Sequence, residues 1–191
     1  MLTVYIDFKS ARAYLAIAPT LALAERLNLQ VDWRPFRTVE RDVPRLGKEE
    51  TVGESHRRVR AASQRAVNIK YAAHQGIELR YPEVLAASDL ALGAMQGIEG
   101  DKLPFLQAAF EAYWSEHADL DDERVVADLI TKSGAVYSGT LSEARDLLEA
   151  AQEDAENAGI VGAPAYVIDE RIFVGREHLP WIEETAGATR P

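Results

Sequence analysis

Apolar residues at the start of the chain form two short runs separated by a segment with helical spacing. Residues 2–8 are mostly apolar and rich in β-branched and aromatic side chains, which predicts a strand buried on both faces. Residues 13–27 have apolar side chains at helical spacing, with Pro19 as either a kink or part of a first turn. Residues 29–36 predict a second strand. Two strands joined by a helix predict a right-handed βαβ unit with parallel strands.

The middle of the chain has the pattern of a helical block. Residues 37–50 are rich in charge, proline and glycine, which indicates a boundary or a mobile surface loop. Capping-box sequences at 51–54 and 140–143 predict the starts of two helices, the first of which extends to about residue 74. Three further helices are predicted between them, over residues 84–96, 102–117 and 122–133.

The last part of the chain returns to strands. Pro164 precedes a β-branched and aromatic run at 165–168, and two polar residues separate this run from a second one at 171–175. Proline is tolerated at the first residue of a strand, so the pattern predicts a hairpin. A final helix is predicted over 177–185. If the peptide bond before Pro164 is cis, the amide and carbonyl of Ala163 face outward and are free to bind a ligand.

Composition narrows the classes of function. The chain has 191 residues, of which 47% are hydrophobic, which is enough for one core or for a small domain with a large insertion. It has no cysteine, which excludes a disulfide framework, a protein thiol nucleophile and a thiolate metal site. The net charge of -10 disfavours nucleic acid as a partner. No segment resembles a signal peptide or a membrane span, so we expect a cytoplasmic protein that does not enter a membrane.

The titratable side chains show no metal motif. The histidines have no paired spacing, and the acidic cluster near residue 120 is typical of a helix start, so we expect no metal site. Four arginines on the first helix of the block form a basic group. This group either binds a carboxylate ligand or forms a solvated face with acidic partners. These arginines are Arg57, Arg58, Arg60 and Arg65.

The order of elements is β-α-β, a helical insertion, and then β-β-α. This order predicts an α/β protein with the thioredoxin fold and an inserted all-helical domain. The thioredoxin-like domain is predicted to comprise residues 1–36 and 159–191, and the inserted domain residues 37–158. In this arrangement the end of the first strand and the start of the first helix, residues 7–16, face the proline of the hairpin.

Several motifs, spread over nearly the full length, resemble one group of thioredoxin-fold proteins. The group includes DsbA-type oxidoreductases, kappa-class glutathione transferases and 2-hydroxychromene-2-carboxylate isomerases. In the last two, serine replaces the redox cysteine. The motifs are Ser10 at the start of the first helix, Trp33-Arg34-Pro35-Phe36, Phe110-Glu111-Ala112-Tyr113-Trp114, Gly162-Ala163-Pro164 and Gly175-Arg176-Glu177-His178-Leu179.

This resemblance implies a glutathione-dependent isomerase that acts on a small molecule. It implies that Ser10 is the catalytic residue, which stabilises the glutathione thiolate at the start of a helix, where donors lower the pKa of a thiol. It also implies that the cysteine of glutathione pairs with Ala163 and that Glu177 receives the α-ammonium group. The residues implied for glutathione are Ser10, Arg12, Ala163, Pro164, Arg176 and Glu177. Relatives in the group often form dimers, which implies a homodimer.

The chain departs from the pattern of the group at several positions. Ser10-Ala11-Arg12-Ala13 stands where Ser-Pro-Tyr-Ser is usual, alanine replaces a usual valine at 163, and Glu177-His178 replaces Asp-Arg. With Lys9 and Arg12, the substrate is either aromatic, as in the group, or acidic. The alternatives are a kappa-like glutathione transferase, an enzyme for another acidic metabolite, and a non-catalytic thioredoxin-like module that binds a peptide or metabolite. Ser10 as a simple helix cap and Pro164 as a stabilising turn are the purely structural alternatives.

Overall fold

A mixed sheet of four strands lies at the centre of the computed structural model, which describes residues 1–39 and 51–188. These strands of the described residues are β1 (Leu2–Ile6), β2 (Val31–Pro35), β3 (Ala165–Ile168) and β4 (Arg171–Val174). Their order is β2-β1-β3-β4, with β1 parallel to β2 and antiparallel to β3. Strands β3 and β4 form the predicted hairpin. The two central strands therefore come from opposite ends of the chain, as the predicted fold requires.

Helices pack around this sheet and account for most of the remaining described residues. They are α1 (Ala11–Tyr14), α2 (Ile17–Arg26), α3 (Val52–Gln75), α4 (Asp89–Ala94), α5 (Leu103–Glu111), α6 (Glu123–Ser133), α7 (Ala144–Asn157) and α8 (Leu179–Ala188). Short 3-10 turns occur at Met95–Gly97, Leu141–Glu143 and Arg176–His178, and a π-helical turn at Ala112–Glu116 extends α5. A small ladder pairs Ile98–Glu99 with Val136–Tyr137.

Two predicted helices differ from the observed ones. The helix predicted over 13–27 is divided into α1 and α2, and Pro19 is the third residue of α2. In the first turn of a helix the missing proline N–H costs no hydrogen bond, so Pro19 causes no kink. The helix predicted from residue 84 begins at Asp89. There the Tyr113 hydroxyl donates a 2.8 Å hydrogen bond to the Ala86 carbonyl, so a tertiary contact fixes the preceding residues outside a helix.

Both predicted capping boxes are present, but they open different structures. In the first, the Thr51 side chain accepts from the Glu54 amide and the Glu54 carboxylate accepts from the Thr51 amide, and α3 follows directly. The second, formed by Thr140 and Glu143, opens a 3-10 turn before α7. At each start, side chains accept hydrogen bonds from backbone amides that have no partner within the helix. Because these hydrogen bonds join residues three positions apart, both boundaries were predictable from sequence.

Helix α3 is unusually exposed. Of its 24 residues, two are buried, Asn68 and Ala72. Arg65 lies over the Tyr81 ring at 4.6 Å, and among the described residues no carboxylate forms an ion pair with Arg60. Both arginines are exposed, as the alternative of a solvated face predicts, but the acidic partners of that alternative are not seen for them in the described residues. Across residues 1–39 and 51–188, no helix has the length and apolar composition needed to span a bilayer.

The apolar core is continuous between the sheet and the predicted insertion. Phe8, which follows β1, packs edge-on against Phe105 and Phe110, with ring centroids 6.2 and 4.9 Å apart. The Trp114 indole donates a 2.9 Å hydrogen bond to the Phe8 carbonyl. All four side chains are fully or almost fully buried in one cluster. The helices therefore share a core with the strands, while the predicted domain boundaries remain a prediction.

Candidate functional site

A cis peptide bond between Ala163 and Pro164 lies against the start of α1. Ser10 is the N-cap of α1, and its Oγ accepts a hydrogen bond of 3.2 Å from the Ala13 amide. The same Oγ donates a 3.2 Å hydrogen bond to the Ala163 carbonyl, across 153 positions of sequence. The structure therefore brings Ser10 to the backbone that precedes Pro164. In contrast to the expectation that both polar groups of Ala163 are free, its carbonyl is engaged by Ser10.

The Ser10 groove is a cleft of about 660 Å³ in front of these groups and open to solvent on one side. Neither the Lys9 ammonium nor the Arg12 guanidinium forms an ion pair with a carboxylate of the described residues. The Ala163 amide likewise donates to no group of residues 1–39 and 51–188. The groove therefore presents hydrogen-bond donors and the charges of Lys9 and Arg12. The Arg37 guanidinium, which is paired with Asp89 and Glu149, and the Glu156 carboxylate also line it. Its lining includes Lys9, Ser10, Arg12, Thr38, Gln152 and Ala163.

A second cleft of about 540 Å³, the Arg176 groove, adjoins the first, and Arg12 lines both. The Arg176 guanidinium lies 3.5 Å from the centre of the Tyr71 ring and donates a 3.4 Å hydrogen bond to the Leu15 carbonyl. Glu177 lines the same cleft with an exposed side chain. Of the six predicted residues, Ser10 and Ala163 line the first groove, Arg176 and Glu177 line the second, and Arg12 lines both. Pro164, which follows Ala163, is buried and lines neither groove.

Asp7 is a candidate site residue that the sequence prediction missed. It follows β1, is completely buried, and accepts hydrogen bonds from the Lys9 amide at 3.0 Å and the Thr38 amide at 2.8 Å. The Thr38 hydroxyl donates a third, of 2.5 Å. Burial raises the pKa of the Asp7 carboxyl, although the Thr38 hydrogen bonds and the charge of Lys9 act in the opposite direction. The signal in the sequence was an acidic residue inside a run otherwise typical of a buried strand.

The strap, defined as residues 36–39, forms one wall of the Ser10 groove. The Arg37 amide donates to Gln152 Oε1 at 2.8 Å, and Gln152 Nε2 donates to the Arg37 carbonyl at 3.3 Å. The Arg37 guanidinium pairs with Asp89 and Glu149. The first residues of the segment predicted as a boundary or mobile loop are therefore fixed to α4 and α7. Residues 40–50 lie outside the described residues.

Two other observations define the extent of the site. A third groove of about 490 Å³, beside Tyr5 and Lys102, contains none of the predicted site residues. Burial lowers the pKa of the Lys102 ammonium there. In the two described ranges, no three histidine, aspartate or glutamate side chains are grouped so that they could hold a metal ion.

Comparison with known proteins places the chain in a family. A family model described as the DSBA-like thioredoxin domain matches residues 1–186. The chain belongs to this family. A 2-hydroxychromene-2-carboxylate isomerase of Sphingobium xenophagum is 26% identical over 187 residues, which cover 94% of each protein. The predicted resemblance is confirmed at the level of this DSBA-like family.

Solved structures of DSBA-like proteins have the same fold. A structure of 2-hydroxychromene-2-carboxylate isomerase superimposes with a TM-score of 0.70 at 19% identity, over 98% of this chain and 94% of the other. The cytosolic disulfide reductase DsbM of Pseudomonas aeruginosa with GSH gives 0.59 at 16% identity, over 98% and 96%. A probable DsbA oxidoreductase of Streptomyces coelicolor gives 0.68 at 18% identity, over 100% and 91%. The predicted α/β thioredoxin fold with helical insertion is confirmed.

Proposed function

We propose that this DSBA-like protein is a glutathione-dependent isomerase of small molecules in which Ser10 stabilises the glutathione thiolate. The observation that carries the proposal is the meeting of the Ser10 hydroxyl with the Ala163 carbonyl at 3.2 Å, at the edge of an open groove. The full-length similarity to a protein named 2-hydroxychromene-2-carboxylate isomerase supports it, as does a structural neighbour solved with GSH. With no cysteine in the chain, Ser10 cannot perform disulfide exchange.

The residues at the two grooves fit glutathione. The Ala163 amide has no partner in the described part of the chain, and Ala163 lies two residues before the start of β3, where an extended peptide can pair with its backbone. The exposed carboxylate of Glu177 provides an acceptor for an α-ammonium group, and Arg12, between the grooves, provides a charge for a carboxylate. Arg176 is held against Tyr71, so its place in the second groove is fixed before a ligand binds.

Glutathione, when bound, supplies a thiolate that adds to a conjugated double bond and leaves after the bond has rotated. The task of Ser10 is to donate its hydroxyl proton toward the sulfur position. In the structure that proton points to the Ala163 carbonyl, so the hydroxyl has to turn. The Ala13 amide donates to Ser10 Oγ, which polarises the hydroxyl and strengthens it as a donor.

Positive charge around Ser10 also favours an anion. Helix α1 has four residues, so a long helix dipole contributes less than the local amides and the charges of Lys9 and Arg12. Both cations line the Ser10 groove, and the Glu156 carboxylate that also lines it accepts a hydrogen bond from Gln152. We therefore expect a substrate that combines a conjugated double bond with an acidic or aromatic group.

Titration calorimetry with reduced glutathione tests this proposal. We expect saturable binding at millimolar glutathione or below. Ser10→Ala is expected to raise the pKa of the bound thiol by about one unit, equivalent to ~1.4 kcal/mol. It should reduce isomerase activity more than affinity, because the hydroxyl acts on the charged form. Ser63→Ala, at an exposed position of α3, is the matched control. The absence of saturable binding by the native protein would contradict the proposal.

A non-catalytic module that binds a peptide or metabolite is the second candidate. The groove is open on one side, and Ala11-Arg12-Ala13 replaces the usual aromatic and hydroxyl residues. Saturable binding of an extended peptide to a protein that does not bind glutathione would favour this candidate. A kappa-like transferase would use the same groups, and analysis of products with an electrophile distinguishes it from an isomerase. The homodimer stays a prediction within this proposal.

A further inference from the structure

We propose that Asp7 is the positioning residue of this site, because its carboxylate fixes both the Lys9 backbone and the strap that together shape the Ser10 groove. The expected effect of Asp7 on glutathione binding rests on the proposed function. Its structural role does not. Asp7 is completely buried. Asp7 does not line the groove itself. Lys9 and Thr38, whose amides donate hydrogen bonds to the Asp7 carboxylate, both line the groove.

The first half of this arrangement turns the chain toward Ser10. Asp7 Oδ1 accepts from the amide of Lys9, two residues later, at 3.0 Å, which is the geometry of an Asx turn. The Asp7 carbonyl accepts from the Ser10 amide, also at 3.0 Å. One residue therefore holds two successive amides at the entrance to α1. The position of Ser10 relative to the cis peptide depends on this turn.

The second half holds the opposite wall. Asp7 Oδ2 accepts from the Thr38 amide at 2.8 Å and from the Thr38 hydroxyl at 2.5 Å. Gln152 of α7 fixes the preceding residue, Arg37, from the other side. The strap is thus held at Thr38 by the Asp7 carboxylate and at Arg37 by the Gln152 side chain. Removing the carboxylate frees the wall at Thr38 while the contact at Gln152 remains.

A carboxylate is chemically suited to this position, and an amide is not. Three donors converge on its two oxygens, and an ionised carboxylate accepts all three. Asparagine has the same shape but one acceptor oxygen, so its NH₂ group would face a donor amide, and a buried donor would lose its partner. Among the charged groups near Asp7, the Lys9 ammonium lowers the pKa of the Asp7 carboxyl by its charge. Arg37 on the strap is already paired with Asp89 and Glu149.

The structural part is tested without any ligand. In ¹⁵N-labelled native protein, the amide resonances of Lys9 and Thr38 are expected to titrate together, with one midpoint above ~3.9, the ordinary value for aspartate. The shared step should be absent in Asp7→Asn. Separate midpoints for the two amides, or a step that persists in Asp7→Asn, would overturn the inference.

A second variant keeps the test decisive if Asp7→Asn fails to fold. Thr38→Val removes the hydroxyl donor to Oδ2 but keeps the backbone amide. Loss of a donor to the ionised form raises a carboxyl pKa, so the midpoint of the Lys9 amide should move to higher pH. An unchanged midpoint in Thr38→Val would show that the three groups do not share one carboxylate.

Glutathione binding tests the positioning role. We expect Asp7→Asn to weaken glutathione binding about tenfold, which corresponds to ~1.4 kcal/mol, while Asp128→Asn on the surface of α6 leaves it unchanged. Equal affinities of native protein and Asp7→Asn would overturn the positioning role while the proposed function stands. If native protein binds no glutathione, the proposed function fails instead, and the amide titration still decides whether Asp7 fixes the two walls.

Discussion

At the scale of single residues, the Ser10 hydroxyl makes one local and one long-range hydrogen bond. It caps α1 by accepting from the Ala13 amide, and it joins the two ends of the chain by donating to the Ala163 carbonyl. A thiol at this position would meet the same donors and the charges of Lys9 and Arg12. Thiols in such surroundings ionise below their usual pKa of about 8.5. Residue 10 therefore offers a direct test of the proposed anion site.

Replacing Ser10 by cysteine gives the chain its single thiol. Its thiolate should attack oxidised glutathione, forming a protein–glutathione disulfide and releasing one reduced glutathione. We expect Ser10→Cys to react about tenfold faster at pH 6 than Ser63→Cys, whose side chain is exposed on α3, because a lower pKa keeps more thiolate present. Mass spectrometry of timed samples measures the rates. Equal rates at the two positions would argue against a thiolate-stabilising site.

At the scale of elements, the sequence predicted those elements and boundaries that depend on contacts between residues close together in the chain. The hairpin of β3 and β4 was predicted because proline, the apolar runs and the two polar turn residues act within a few positions of each other. The division between α1 and α2 was missed, because the helical spacing of apolar residues continues through it. The start of α4 was also missed, since the hydrogen bond from Tyr113 to Ala86 joins distant parts of the chain.

The candidate site follows the same rule. Pro164 was predicted from the hairpin pattern around it and Ser10 from the resemblance to a known family, whereas the link from Asp7 to Thr38 spans 31 positions and has no local pattern. The strap resembled an ordinary charged loop, because its contacts to α7 appear only after folding. Local pattern and family resemblance together therefore predicted the two sides of the candidate site. The buried carboxylate behind it required the structure.

An ion pair between elements makes stability depend on pH. Arg145 of α7 donates to both oxygens of Asp121 at 3.0 and 2.9 Å, and the Leu90 amide of α4 donates at 3.0 Å. These contacts, with the Arg145 hydrogen bond first, hold the pKa of Asp121 below its usual value. A lowered carboxyl pKa gives stability that is present above the unfolded-state pKa of ~3.9 and is lost as pH falls through the folded-state value.

Arg145→Met should therefore reduce the free energy of unfolding by about 0.5 kcal/mol at pH 7, a small effect because half of the Arg145 side chain is exposed. The difference from native protein should shrink as the pH falls below about 4. Urea unfolding at pH 7 and pH 3 measures both values. Lys132→Met, which removes an exposed pair with Asp128, is the control and should change stability less. A difference that stays constant with pH would point to packing of the arginine stem instead.

At the scale of the whole molecule, the shared core predicts how the chain unfolds. The sheet is built from both ends of the chain, and its apolar face continues into the helices through Phe8, Phe110 and Trp114. Tyr14 of α1 stacks on the same Phe110 ring, with centroids 5.1 Å apart. Phe110 lies in α5 and contacts Phe8 and Tyr14, so it couples the helical part to the part that contains the sheet. The predicted domains should therefore unfold as one unit.

Phe110→Ala tests this coupling. Removing a buried phenylalanine costs about 3 to 5 kcal/mol, and a shared core distributes that loss over both parts. Amide hydrogen exchange at Val4 in β1 and at Leu106 in α5 should report the same drop in unfolding free energy, and urea unfolding should remain a single transition. Val136→Ala, at an exposed position, should change either value by less than about 0.5 kcal/mol. If only Leu106 lost protection, the helices would unfold independently of the sheet.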